Sequence, residues 1–217
     1  LDGEGKHNEA ISIYDSIINT SLNQDNWGYL WSAYRSKVDI LKRLKEIEKV
    51  KQCSFDELAR FQNETQIIDT SLNIPLAYRI PTSVYEYLAH FSYDDQDYFT
   101  AIEYYQKAEK AYKKYTDKAL QGGRLDDLNI KRFQYDCNMG FDIEMGNCES
   151  NLSNYTSALK YYLKAEKFFK ENGTVSHPER TFRNDIISHD ANIVLPKKIA
   201  DCYMSLNSYS KATKYYN

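Results

Sequence analysis

The chain has 217 residues, of which 42% are hydrophobic and 27% are charged, and its formal net charge at pH 7 is -3. This balance excludes global disorder, and the small negative charge argues against nucleic acid or an anionic membrane as partner. Eight glycines and four prolines are too few for the many turns of an all-β protein, which favours an all-α fold.

The first predicted helix contains the segment Asn8-Glu9-Ala10-Ile11-Ser12-Ile13-Tyr14. Two further helices are expected over about residues 27–50 and 54–72, the second with Ser54 as its N-cap and Glu57 in the capping-box position. Ile80-Pro81 is expected to open the next helix, because proline suits a first helical turn.

A long amphipathic helix is predicted from Tyr98 onward, with its apolar face formed by Ala101, Tyr105, Ala108, Tyr112, Tyr115 and Ala119. The acidic segment Asp94-Asp95-Gln96-Asp97 precedes this helix and is expected to stabilise its N-terminal end. Gly122-Gly123 breaks the pattern, and a helix is expected to start near Leu125. Asn172-Gly173 is a predicted helix end, and Pro196 is a predicted helix start.

Internal repeats are the strongest signal in the sequence. Tyr98–Lys110 aligns without a gap on Tyr155–Lys167, with eight of thirteen positions identical. A third copy begins at Tyr209, and the segment around Ala10 is a fourth. The corresponding alanines are 91, 57 and 54 residues apart, so the longest interval is expected to contain one eroded unit.

The Ala, aromatic and Ala spacing of these copies resembles the second helix of a tetratricopeptide repeat. The family's first helix has a small residue twelve positions earlier, where this chain has Ala89, Gly146 and Ala200. The resemblance implies a right-handed α-α superhelix, a solenoid of helix pairs, here with units at about 1–22, 27–72, 81–121, 124–172 and 180–217 of a single domain. We expect this domain to be part of a longer protein. The period exceeds the family's 34 residues, and Ser92 and Glu149 stand where an aromatic is usual, so the repeats are degenerate.

The resemblance also implies a concave groove lined by the first helices. The family's groove positions carry over to Ser83, Glu86, His90, Tyr93, Gly140, Ile143, Asn147, Ser150, Val194, Lys197, Asp201 and Met204. All of these except Ser83, Gly140 and Val194 are our candidate protein-binding residues. The carboxylate clamp of chaperone-binding members is not expected, because Ile143 stands where that clamp has Lys.

No catalytic, cofactor or metal motif is found. The four histidines lack partners at metal-ligand spacing, and neither a nucleophile elbow nor a phosphate-binding loop occurs. The four cysteines form no CxxC pair, which favours buried free thiols in a reducing compartment. We expect no cofactor and no enzymatic activity, and a cytoplasmic location because neither a signal peptide nor a transmembrane segment is found.

Two functions stay open at this stage. The first is a scaffold that binds a peptide or partner protein in the groove, with self-association through the terminal repeats as an added risk. The alternative is a sensor or regulatory segment that controls an effector domain attached to it. The 20 tyrosines suit shallow helix–helix grooves, although a drift in composition explains them equally well.

Overall fold

A computed structural model describes residues 6–20, 27–62, 68–69, 74–121, 139–172 and 184–216. The chain divides into two compact units, Leu1–Val84 and Tyr85–Asn217, and each has buried apolar side chains of its own. The described residues are helical apart from turns and one short strand pair, which confirms the predicted all-α class.

The described helices are α1 (His7–Ile18), α2 (Trp27–Arg43), α3 (Ile47–Phe61), α4 (Leu76–Asp94), α5 (Tyr98–Gln121), α6 (Phe141–Asn151), α7 (Tyr155–Asn172), α8 (Asn184–Ser205) and α9 (Tyr209–Tyr216). Between α3 and α4, strands β1 (Ile68–Asp69) and β2 (Ile74–Pro75) pair antiparallel, with Ile68 opposite Pro75. The helix end predicted at Asn172-Gly173 falls at the edge of the described residues and stays a prediction, and the start predicted near Leu125 lies outside them.

One type of tight turn joins the helices in pairs. Between α4 and α5, the Gln96 N–H donates to the Tyr93 carbonyl at 3.0 Å and the Asp97 N–H donates to the Ser92 carbonyl at 2.9 Å. Gln96 is left-handed, with φ of 64°. This is a Schellman turn, which satisfies carbonyl groups at the end of the first helix. The same bonds recur after α2, α6 and α8, with left-handed residues Lys45, Ser153 and Asn207.

The shared turn makes residues at the same distance from it structurally equivalent. Ala101 donates its N–H to the Asp97 carbonyl in the first turn of α5, and Val50, Ala158 and Ala212 make the same bond in their own helices. All four side chains are fully buried. The long interval between Ala10 and Ala101 therefore contains one more helix pair, α2–α3, in which valine replaces alanine.

The α4–α5 turn also contains a side-chain cap. Asp97 Oδ1 accepts a hydrogen bond from the Thr100 N–H at 3.2 Å. A carboxylate here satisfies a free amide and interacts favourably with the helix dipole. The predicted role of the acidic segment is confirmed for this residue.

Three predicted helix starts are wrong. Ser54 is not an N-cap, because α3 begins seven residues earlier, directly after its turn, and Ser54 is buried in the middle of the helix. Pro81 and Pro196 lie inside α4 and α8. A proline removes one intrahelical hydrogen bond, but Ile80 and Leu195 beside the two prolines are buried, and this packing favours a continuous helix.

In the unit Leu1–Val84, α2 packs against both α1 and α3. The Tyr34 and Phe61 rings meet edge to face with centroids 6.3 Å apart, and Val38 and Val50 are fully buried. An ion pair between Arg35 and the fully buried Glu57 also joins α2 to α3, at 2.8 Å.

In the unit Tyr85–Asn217, α5, α6, α7, α8 and α9 pack in sequence, each against the next. One apolar cluster contains Met139, Ile143, Ala158, Tyr162, Ala165, Leu195, Ile199 and Cys202. At Gly146, an added Cβ would lie 2.5 Å from Cε1 of the Tyr162 ring. A side chain at residue 146 is therefore incompatible with the present separation of α6 and α7.

Three helices of this unit are also joined by charge. Lys164 Nζ of α7 lies 2.9 Å from Asp142 Oδ1 of α6 and 3.7 Å from Glu109 Oε1 of α5. Burial raises the pKa of Asp142 from 3.8 to about 6, although the hydrogen bond and charge of Lys164 act to lower it. For Lys164, burial acts to lower the pKa, but Asp142 and Glu109 outweigh burial and raise it.

We expect Gly146→Ala to destabilise the unit by about 1–3 kcal/mol, because the new methyl group overlaps the Tyr162 ring. Gly28→Ala is the matched control: nothing lies within 4 Å of its added Cβ. Alanine favours a helix over glycine, so the control should gain up to about 1 kcal/mol. Urea denaturation of both variants measures the difference, and a Gly146→Ala protein as stable as wild type would contradict the close approach.

We expect the unfolding free energy to fall as the pH rises from about 4 to about 6, because the folded protein then keeps an Asp142 proton that the unfolded chain has lost. Asp142→Asn should reduce this slope. Relative to the variant, wild type should lose on the order of 1–2 kcal/mol across the window. Denaturation of wild type and variant at several pH values tests this, and equal slopes in the two proteins would contradict the prediction.

Candidate functional site

A tyrosine hydroxyl contacts a polar side chain of the preceding helix in three pairs. Tyr162 donates to Asn147 Oδ1 at 2.9 Å, and the Tyr105 hydroxyl lies 3.1 Å from His90 Nδ1. Tyr216 donates to Asp201 Oδ1 at 2.5 Å. The partner stands fifteen residues before its tyrosine in every case. The three polar residues are candidates from the sequence, and this contact fixes their side chains.

The third tyrosine differs from the others in exposure. Tyr105 and Tyr162 are 0% and 1% exposed, whereas Tyr216 is 51% exposed. The Phe141 ring of α6 lies 6.2 Å from the Tyr105 ring, and Leu195 and other residues of α8 belong to the apolar cluster of Tyr162. Among the residues described, no later helix stands in that position for Tyr216. Self-association through this face stays a prediction.

A cavity of about 220 Å³ lies among the helices of the unit Tyr85–Asn217. Its lining comes from α4, α6, α7 and α8 and consists of Tyr93, Asn147, Ser150, Asn151, Tyr162, Lys198 and Asp201. Every lining side chain carries a hydrogen-bonding group, and one cation and one carboxylate are among them. The cavity therefore offers both donors and acceptors.

Hydrogen bonds hold several of these side chains in place. Asn151 Nδ2 donates to the Tyr93 hydroxyl at 3.1 Å and to the Asn147 carbonyl at 3.0 Å. The Tyr93 ring also meets the Tyr98 ring edge to face, with centroids 5.4 Å apart. Burial raises the pKa of Tyr93, so this phenol stays neutral at physiological pH and keeps a proton to donate.

The structure brings four of the nine candidate residues together in this cavity: Tyr93, Asn147, Ser150 and Asp201. The other five lie elsewhere. His90 contacts Tyr105, and Ile143 is buried in the apolar cluster, where it offers almost no surface to a ligand. Glu86 is half-buried, while Lys197 and Met204 are exposed, and none of these three lines the cavity.

Sequence reasoning missed Asn151 and Lys198 and treated Tyr162 only as a packing residue. Asn151 lies one turn after Asn147, and Lys198 lies three residues before Asp201, so both share a helix face with a candidate. This spacing was a usable signal. The resemblance implies that Lys197 faces the groove, whereas Lys198, one residue later, lines the cavity. The difference depends on how α8 is rotated about its axis.

The described residues contain no group of three or more His, Cys, Asp or Glu side chains that could hold a metal ion. The described thiols are free and buried, and burial raises the pKa of Cys53 and Cys148 to about 12 and that of Cys202 to about 11. These thiols are therefore protonated and weakly nucleophilic at physiological pH. Within the part of the chain that is described, no helix has the length and apolar character of a membrane span.

Comparison with protein-family models gives no match for this chain, and comparison with curated proteins gives none either.

We expect Tyr162→Phe and Tyr105→Phe each to destabilise the protein by about 1 kcal/mol, because each removes a hydrogen bond within a buried helix pair. Tyr209→Phe is the control: this hydroxyl donates to Asn207 at 2.8 Å but is exposed, so its loss should cost less than about 0.5 kcal/mol. Chemical denaturation measures all three. Equal losses in the three variants would show that the recurrent contact has no special role.

Proposed function

We propose that the unit Tyr85–Asn217 is a protein-interaction module that binds a peptide segment of a partner protein at the cavity described above. The observation that carries the proposal is the origin of the lining: polar side chains from α4, α6 and α8, the first helices of three successive pairs, meet at one place. The same proposal treats the helix pairs as tetratricopeptide-like, a family whose first helices line a binding groove. The recurrent turn and the recurrent tyrosine contact support this part of it.

The size of the cavity favours a peptide over a free small molecule. Small-molecule sites typically enclose about 300–1,000 Å³, and this cavity encloses about 220 Å³. A volume of this size suits one anchoring residue of a longer chain. The rest of that chain would lie outside the cavity.

The charges of the cavity favour a neutral polar anchor. Lys198 donates hydrogen bonds and Asp201 accepts them, and the two are three residues apart on α8. A strongly acidic or basic side chain would meet one charge of its own sign. A peptide group or a side-chain amide presents a carbonyl to the lysine and an N–H to the carboxylate, so it satisfies both.

Selection from a random peptide library against the whole chain tests the proposal. Ser150→Arg, which places a large side chain in the cavity, serves as the blocked variant. Ser210→Arg makes the same change at an exposed position of α9 away from the cavity. Peptides that bind wild type and Ser210→Arg but not Ser150→Arg support the proposal. Enrichment that Ser150→Arg does not reduce, or no enrichment at all, would show that the cavity is not a peptide site.

We expect Lys198→Ala to weaken a selected peptide by about tenfold, which corresponds to about 1.4 kcal/mol, because a charged hydrogen-bond donor is lost from the cavity. Lys197→Ala removes the same charge from the neighbouring exposed residue and should change affinity by less than about twofold. Isothermal titration calorimetry compares the two. Equal weakening would indicate general electrostatic attraction, and a larger effect at Lys197 would favour the groove positions of the family over the cavity.

A further inference from the structure

A cavity of about 330 Å³ lies between α1, α2 and α3 in the unit Leu1–Val84. Its lining comes from all three helices and from Glu46 in the turn between α2 and α3. The volume falls within the range of about 300–1,000 Å³ that is typical of small-molecule sites. This cavity shares no residue with the proposed peptide site, so an inference about it does not rest on the proposed function.

The cavity lies against a cysteine that replaces a tyrosine. Counted from the shared turn, Cys53 of α3 occupies the position held in the other second helices by Tyr104, Tyr161 and Tyr215. The Tyr215 hydroxyl donates to Glu166 Oε2 of α7 at 3.1 Å, so a tyrosine here reaches the second helix of the preceding pair. For α3 that preceding helix is α1. A cysteine side chain is much shorter, and it leaves room between α1 and α3.

The inner part of the cavity is apolar. Leu41 and Cys53 are buried, and Ile11 of α1 is half-buried. Burial raises the pKa of Cys53 to about 12, so its thiol is neutral at physiological pH and behaves as a small apolar group. This wall suits an apolar or aromatic group.

The remaining lining carries charges of both signs. Lys37 Nζ of α2 lies 2.5 Å from Asp15 Oδ1 of α1, so this ion pair joins two helices. Lys49 forms an ion pair with Glu46, three residues earlier, and its side chain is 70% exposed. The exposed Asp56 adds a further carboxylate. Two cations and three carboxylates therefore surround the apolar wall.

This arrangement selects a ligand with two opposite charges and an apolar body. A purely anionic ligand would meet three carboxylates, and a purely cationic one would meet two lysines. A zwitterion presents a carboxylate to a lysine and an ammonium group to a carboxylate, and both contacts are charge-assisted hydrogen bonds. A free amino acid with an aromatic side chain combines these two charges with a ring for the inner wall.

We propose that the cavity between α1, α2 and α3 binds a free aromatic amino acid, whose ring occupies the space that a tyrosine takes in the other pairs. Asp15 binds the ammonium group, and Lys49 binds the carboxylate. Lys49 is assigned this role because its ion pair lies within one helical turn, so it can reorient without breaking a contact between helices. Lys37 is half-buried and holds α2 to α1.

Isothermal titration calorimetry of the whole chain with L-phenylalanine tests the site. Phenethylamine lacks the carboxylate and 3-phenylpropanoate lacks the ammonium group, so each removes one proposed contact. We expect phenylalanine to bind at least about tenfold more tightly than either analogue, because each loses a charge-assisted hydrogen bond. An analogue that binds as tightly as phenylalanine, or no binding of phenylalanine at millimolar concentration, would overturn the proposal.

A matched pair of lysine variants locates the ligand in the cavity. Lys49→Gln should weaken phenylalanine by about fivefold or more, because it removes the proposed partner of the carboxylate. Lys51 also pairs with a glutamate three residues earlier, Glu48, but does not line the cavity, so Lys51→Gln should change affinity by less than about twofold. Equal effects of the two variants, or none at Lys49, would overturn the proposal.

Filling the cavity gives a second, independent test. Cys53→Tyr restores the tyrosine of the other pairs and should abolish phenylalanine binding. A Cys53→Tyr protein that keeps the wild-type helical circular dichroism and still binds phenylalanine would show that the ligand lies elsewhere. If this variant does not fold, the analogue and lysine measurements still decide the proposal.

Discussion

The left-handed residue at the end of each first helix is the constraint on which the other features depend. The Schellman turn at Gln96, with equivalents at Lys45, Ser153 and Asn207, sets both the length of the connection and the rotation of the second helix relative to the first. With the rotation fixed, the same position of the second helix always faces the same position of the first. The recurrent tyrosine contact follows from this register.

The register also explains why different side chains can fill the space between the two helices of a pair. In α5 and α7 the facing position is a tyrosine that combines a buried ring with a bonded hydroxyl, so one side chain supplies packing and polarity together. In the α2–α3 pair these contributions are divided between the Arg35–Glu57 ion pair and the short, buried side chain of Ser54. The backbone geometry of the turn is the same in both cases, because it is set by main-chain hydrogen bonds and not by the side chains between the helices.

The sequence predicted the features that recur in it. The alanines at residues 101, 158 and 212 and the small residues twelve positions earlier identify helix pairs and are buried as expected. The α2–α3 pair is harder to recognise, because Val50, Ser54 and Glu57 replace the usual residues. The sequence therefore predicts an N-cap at Ser54, whereas α3 begins after Glu46. The helix starts predicted at Pro81 and Pro196 are wrong for a different reason. Local propensity favours a helix start at proline, but burial of the neighbouring side chains outweighs the loss of one hydrogen bond.

The candidate site was predicted in part, because the positions that the resemblance implies specify a helix face but not how each helix is rotated about its axis. Tyr93, Asn147 and Asp201 meet in the cavity as that face implies. Ile143 is drawn into the core by the apolar cluster of α7 and α8, a tertiary contact that no local pattern contains. Tertiary packing also sets the rotation of α8, so Lys198 and not Lys197 lines the cavity.

The close approach of α6 to α7 at Gly146 has a consequence for sequence divergence. The Tyr162 ring occupies the space that a side chain at residue 146 would need, so the two positions share one fixed volume. Substitutions at the two positions are therefore coupled: a larger residue at 146 requires either a smaller one at 162 or a wider separation of α6 and α7. Across homologous chains, the side-chain volumes at residues 146 and 162 should therefore vary in opposite directions, one larger where the other is smaller.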